Sequence, residues 1–257
     1  MNSKRLISML LASLLVLSLA TVAVADEEAV PEETAIPRED GLPDIDPYSW
    51  EFRLANSYNS ISLYNYNNSG ITISYCYGLG IDSRIYSNTV HFIEDARAAG
   101  YPVYLNCAHL SWEYYLCGHY ESMIKRKYGD GYHAALNELG PGCNDHQTGL
   151  AIDIAVSPAY MSTIDVKDPD AKQSETYAYM KEHCAEYGFI VRYPEDKSDY
   201  YGLACEGAHF RYVGEEAARY IMDNNLCLEE FLLLYDYPVR LGTAVKDGAA
   251  EKNNYGQ

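Results

Sequence analysis

Apolar and polar positions change their period several times along this chain, and each change marks an element. Over residues 82–99, Ile85, Phe92, Ile93 and Ala96 fall near one helical face, which predicts a helix capped by Asp82 and stopped by Gly100. Residues 102–106 read as a short strand. Ser111 then caps a helix carrying Leu116, Tyr120 and Met123, ending near Tyr128 and Gly129. A helical patch over 133–139 precedes Gly140-Pro141-Gly142, a strong breaker. Residues 150–156 alternate, so Leu150, Ile152 and Ile154 share one strand face while Ala151 and Asp153 share the other. A helix over 174–187 places Tyr177, Met180 and Cys184 on one stripe before Gly188. Residues 189–192 and 208–213 read as strands, and 215–224 and 228–235 as closing helices. Upstream, residues 58–77 alternate through Ile71, Ile73 and Tyr75 and read as edge strands. This mixture lacks a regular strand–helix–strand period, which predicts an α+β single domain over residues 48–236, with a small antiparallel sheet and flanking helices.

The ends read differently. Lys4 and Arg5 precede an apolar run over 6–22 and then Ala23-Val24-Ala25, the pattern of a cleaved signal peptide over 1–25; an uncleaved anchor is the alternative. Residues 26–47 hold nine acids and four prolines against Arg38 alone, a composition that cannot bury an apolar face and predicts a disordered linker. Residues 237–257 read as a polar tail. Lys and Arg number 19 against 37 Asp and Glu, a formal charge of −18 that argues against nucleic acid and anionic lipid as partners. The expected product is secreted, with no membrane contact after signal cleavage, and monomeric. Seven cysteines leave an odd thiol, and no Cys-x-x-Cys pair supports a zinc knuckle.

Two segments concentrate chemistry. His146 sits in a loop after the Gly-Pro-Gly breaker, and Asp153 follows on a strand face otherwise made of alanine. A carboxylate among small apolar neighbours needs compensation, which a metal ion or a structural Asp–His hydrogen bond would supply. In the second segment, Glu206-Gly207-Ala208-His209-Phe210-Arg211, strand alternation puts His209 and Arg211 on one face, and Glu206 lies in the preceding turn. A zinc site with a nearby non-ligand carboxylate is the arrangement that hydrolysis requires: the metal acidifies water and polarises a carbonyl while the carboxylate takes the proton.

The stretch from Gly142 to Ile154, Gly-Cys-Asn-Asp-His-Gln-Thr-Gly-Leu-Ala-Ile-Asp-Ile, resembles the Ser-x-His-x-x-Gly-x-Ala-x-Asp motif of VanY-type D-alanyl-D-alanine carboxypeptidases. Residues 206–214 are similar to their Glu-Pro-Trp-His-x-Arg-Tyr-Val-Gly motif, and the flanks at 187–194 and 228–231 agree. The resemblance covers roughly residues 82–235. It implies Zn2+ held by His146, Asp153 and His209, Glu206 as catalytic base, the α+β fold shared with hedgehog-type domains, and the bacterial peptidoglycan stem peptide as substrate at the cell wall. Gln147, Ser111 and Asn144 are the candidate substrate-binding residues. The chain departs from the family at Leu110, where an Arg that binds the substrate carboxylate or oxyanion is expected; leucine offers no donor, and an oxyanion donor is worth about 10²–10³ in rate. Gly207-Ala208 replaces Pro-Trp and Asn144 replaces Ser. Bridges such as Cys184–Cys205 or Cys117–Cys143 would stiffen the metal-bearing loops. The alternative to a peptidase is a catalytically impaired cell-wall-binding module of the same fold; a Cys/His hydrolase using Cys107 or Cys143 leaves Asp153 and Glu206 unexplained.

Overall fold

A computed structural model of the chain describes residues 41–116, 118–131, 140–162, 167–201 and 208–241, all within one compact unit, Pro37–Gln257. Residues 1–40, where a signal peptide and most of a linker are expected, the 133–139 patch, Cys117, Cys205, Glu206 and the residues after Leu241 lie outside the described residues. In chain order come α1 (Leu63–Asn67), the strands β1 (Ile73–Cys76) and β2 (Leu79–Asp82), α2 (Tyr86–Ala98), β3 (Tyr104–Cys107), α3 (Trp112–Leu116) and α4 (His119–Tyr128). Then follow β4 (Ala151–Ala155), α5 (Glu175–His183), β5 (Phe189–Val191), α6 (Ser198–Tyr201), β6 (Ala208–Tyr212), α7 (Glu215–Asp223) and α8 (Leu228–Leu233). β1 and β2 form a small hairpin, and the central sheet has the order β3-β4-β6-β5 with every pairing antiparallel. The α+β expectation holds.

Alternation along β4 and β6 divides the central sheet into two faces. Ile152 pairs with Phe210 and Ile154 with Ala208, and this face joins Leu105, Phe189, Phe92 and Ile93 of α2, and Met180 of α5 in the main core. Each such fully buried Ile, Leu or Phe stabilises the fold by about 1.5–3 kcal/mol. The intervening pairs, Asp153 with His209 and Ala151 with Arg211, turn to the other face. Ile190, opposite Arg211, belongs to a second core built from Val213, Ile221, Leu228 and Phe231.

The sequence pattern misplaces several boundaries. Residues 58–77 are not strand throughout: the Ser62 hydroxyl accepts from Asn65 N at 3.2 Å and caps α1, leaving strand only from Ile73. The helix capped by Ser111 breaks at Gly118, whose φ of 75° is left-handed, and Leu116 is exposed instead of facing a core. The packed body also overruns both ends of the 48–236 reading. The Pro43 carbonyl accepts from the Tyr235 hydroxyl at 2.6 Å, and Val239 and Leu241 are buried in the second core. Among the described residues, no helix is long and apolar enough to cross a membrane.

Candidate metal centre

His146 comes from a short 3-10 turn, Asp145–Thr148, whose entry is fixed by the Asn144 carboxamide accepting from His146 N at 2.9 Å. The turn ends at Gly149 with φ of 74°; a side chain there would be strained and would press on Asp82 and Ile71. This delivers His146 over β4, where its Nε2 lies 2.9 Å from Asp153 Oδ2. His209, the cross-strand partner of Asp153, brings its Nδ1 to 3.0 Å from Asp153 Oδ1. The two imidazole centroids are 4.7 Å apart, and all three residues are buried. The three residues expected to hold a metal are therefore together.

Their electrostatics identify what the cluster lacks. His209 Nε2 lies 3.3 Å from Asp145 Oδ2. A carboxylate accepts there, so Nε2 carries the proton and Nδ1 presents a bare lone pair. Asp153 Oδ1, opposite Nδ1, has no hydrogen-bond partner, and neither does His146 Nδ1. Two acceptors facing each other at 3.0 Å in a buried site repel unless a cation lies between or beside them. A cation is at hand even without a metal: the Lys167 ammonium contacts Asp153 Oδ2. Burial pushes the His209 imidazole down to about 3, with His146 acting in the same direction, so the neutral ligand form is favoured. The donor set of two imidazoles and a carboxylate suits zinc.

Asp145, which the motif reading passed over, organises the rear of this centre. Its carboxylate accepts from Arg211 Nη1 and lies 3.6 Å from Arg192 Nε. Burial alone would raise the Asp145 pKa, but Arg211 and Arg192 outweigh it and hold the carboxyl well below its usual range. Arg192 in turn makes two bonds to Glu229, at 2.8 and 2.6 Å, and Glu229 accepts from Asn56 at 2.7 Å. Arg211 also donates to the carbonyls of Glu51 and Arg53. In the sequence, Arg211 shares the His209 face and Arg192 and Glu229 fall in the matching flanks 187–194 and 228–231, but nothing there joins them to Asp145.

The substrate-side candidates are spread among local tasks. Gln147 is fully buried, its Oε1 accepting from Gly142 N at 2.6 Å while Nε2 lacks a partner. The Ser111 hydroxyl accepts from Tyr114 N at 3.3 Å, capping α3, and Asn144 caps the turn of His146. Leu110 is buried, with its backbone N donating to the His146 carbonyl at 3.3 Å. Neighbouring His109 stacks on Tyr66 and sits 3.1 Å from its hydroxyl. Burial, with His146 nearby, pushes His109 down to about 4, so it is neutral and no substitute for an arginine. Glu206 lies outside the described residues. Cys184 is a free buried thiol donating to the Lys181 carbonyl at 3.3 Å, which overturns the Cys184–Cys205 bridge; it is a core side chain with a pKa pushed up to about 12 by burial. Cys117, half of the other suggested bridge, is outside the described residues.

Comparison with known proteins points the same way. The family described as VanY: D-alanyl-D-alanine carboxypeptidase matches residues 79–215. A D-alanyl-D-alanine carboxypeptidase of Enterococcus faecalis (strain ATCC 700802 / V583) is 40% identical over 92 residues, which are 36% of this chain and 31% of that protein. This chain thus spans about a third of the length of that relative. Among solved structures, a variant of the vancomycin-resistance D,D-pentapeptidase VanY from a VanB-type cassette, in complex with Zn(II), superposes with a TM-score of 0.57 at 31% identity, over 72% of this chain and 99% of that one. VanYB in complex with D-alanine-D-alanine gives 0.57 at 29% identity, over 72% and 98%.

Proposed function

That this chain belongs to the VanY D-alanyl-D-alanine carboxypeptidase family is the premise from which we propose its activity: a zinc-dependent carboxypeptidase that removes the terminal D-alanine of peptidoglycan stem peptides. The observation that carries this reading is the opposition of His209 Nδ1 and Asp153 Oδ1 at 3.0 Å beside His146, a buried set of lone pairs built for a cation. Zinc held by His146, Asp153 and His209 supplies a polarised carbonyl and acidified water. Glu206, three residues before His209 in the matching motif, takes the proton from the attacking water and passes it to the leaving amine. Asp145 keeps the proton on His209 Nε2 and so keeps Nδ1 turned to the centre. Lys167, whose side chain is 34% exposed, stands at the edge of Asp153 and is assigned to the substrate's terminal carboxylate, the task that Leu110 cannot perform. The signal pattern over 1–25 directs the protein out of the cell to this substrate.

A second reading, a cell-wall-binding module without turnover, is favoured by one observation: Leu110 is apolar and buried where the family carries arginine. One experiment separates the two. The zinc-loaded chain is incubated with a defined pentapeptide muropeptide, with an EDTA control and a Glu206→Gln variant, and the products are weighed by mass spectrometry. The expected result is chelator-sensitive loss of one alanine by wild type and none by the variant, which still binds zinc. Bound zinc with no cleavage by wild type supports the binding module; cleavage by the variant at the wild-type rate removes Glu206 as the base.

A further inference from the structure

The β3–β4 ladder contains an irregularity whose effect is local and chemical. Leu105 pairs with Ile154, yet Cys107, two residues further on, pairs with Asp153, one residue back. Asn106 is the extra residue of a bulge between them. Without it, Leu105 and Cys107 would point to the same face, because strand side chains alternate. With it, Leu105 stays in the main core while Cys107 is turned to the face of Asp153, the re-aiming that bulges perform.

Three adjacent strands then carry donors in one row: Cys107 on β3, Asp153 on β4 and His209 on β6, with His146 above them from its turn. Ligand atoms of Cys107, His146 and Asp153 all lie within 4.8 Å of one another, and Cys107 is 1% exposed. The unpartnered His146 Nδ1 and Asp153 Oδ1 belong to this same cluster. A buried thiol here has two explanations, a small core side chain or a ligand. Cys107 is absent from the main apolar cluster that takes in its neighbours Leu105 and Ala108, which favours the ligand. Its Sγ contacts the Ala108 carbonyl at 3.6 Å and also interacts with the His146 side chain, so the sulfur is already directed at one of the expected ligands.

We propose that Cys107 is a fourth protein ligand of the metal centre, its sulfur grouped with His146 and Asp153, and His209 joined to them through Asp153 Oδ1. This rests on the reading that His146, Asp153 and His209 hold zinc, and adds to it a sulfur donor. With four protein ligands the metal would have to expand to a fifth position, or release one ligand, to take up the water that the proposed hydrolysis uses. The thiolate is the softest of the four and the one that shifts metal preference toward zinc over harder cations.

X-ray absorption at the zinc edge tests this on the zinc-loaded full chain, without reference to turnover. The expected spectrum requires one sulfur at about 2.3 Å beside nitrogen and oxygen at about 2.0–2.2 Å. Cys107→Ser is expected to retain one zinc per chain and lose the sulfur shell, which excludes the other cysteines as its source. In the cobalt-substituted protein, the near-ultraviolet thiolate-to-cobalt band is expected in wild type and absent from Cys107→Ser. Stoichiometric zinc with no sulfur shell overturns the Cys107 assignment and leaves the three-ligand reading standing. A sulfur shell that survives Cys107→Ser also overturns it. Failure of the chain to bind zinc, or zinc retained unchanged in His146→Ala, overturns both.

Discussion

Behind His209, Asp145 meets Arg211 and Arg192, Arg192 meets Glu229 through two bonds, and Glu229 meets Asn56, with every one of these side chains buried. In front of Asp153, Lys167 is a third exposed, Leu110 carries no polar group, and His109 is committed to Tyr66. The rear is a closed circuit in which each charge depends on its neighbour; the front has few fixed obligations. Removing one member of a buried pair strands the other charge in a poor dielectric, whereas an exposed cation falls back on water. The candidate metal ligands are therefore tightly held from behind, and the face proposed to meet substrate is the part free to differ from the family pattern.

The largest expected effect comes from breaking the rear. Asp145→Ala strands Arg211 and Arg192 and is expected to cost about 3–5 kcal/mol in urea unfolding. The same variant is expected to weaken zinc by about 10–100-fold in a competition assay with a chromophoric chelator, because His209 loses its orienting partner. Glu229→Leu alone is expected to destabilise nearly as much, and Arg192→Met with Glu229→Leu to recover most of that loss, since a stranded charge costs more than an absent pair. If the double variant unfolds as readily as the single one, the rear is held by packing and not by charge.

Acid sharpens the comparison from another side. In the metal-free chain His209 sits at about 3 against an ordinary 6.5, so between those values the unfolded chain binds a proton that the folded chain refuses. The contribution is fully present above about 6.5 and is lost as pH falls toward 3, and His209→Gln is expected to flatten that slope in pH-dependent melts. At the front, Lys167→Met is expected to raise KM for a free-carboxylate peptide by about 10-fold, roughly the worth of one charge-assisted hydrogen bond, and to leave an amidated peptide unaffected. In the zinc-loaded chain, where the metal takes over the compensation of Asp153, its effect on stability is expected within about 0.5 kcal/mol. The smallest effect belongs to Tyr66→Phe, which removes the contact to His109 and the acceptor for Trp112 N, at about 1 kcal/mol.

Much of this arrangement was legible in the sequence because strands have a strict period. The alternation of Leu150, Ile152 and Ile154 against Ala151 and Asp153 fixed the two faces of β4, and the same rule put His209 and Arg211 together. Asp145 escaped because a residue between two motif positions has no period to betray it; its partners Arg192 and Arg211 are 47 and 66 residues further along by their numbers and meet it only in the folded chain. Cys107 escaped for the opposite reason. A periodic rule places it with Leu105, and a bulge, invisible in hydrophobicity, turns it to the other face. The short helix at Leu63–Asn67 was misread because its Tyr and Asn residues suit an exposed strand equally well, and the Ser62 cap decided between them.

Anomalous diffraction at the zinc edge, from crystals of the zinc-loaded chain, tests the central claim most directly. One strong peak bounded by His146, Asp153 and His209 is the predicted result, with the Lys167 ammonium displaced from Asp153. A map with no peak among these three residues, or with its strongest peak elsewhere, would contradict the account.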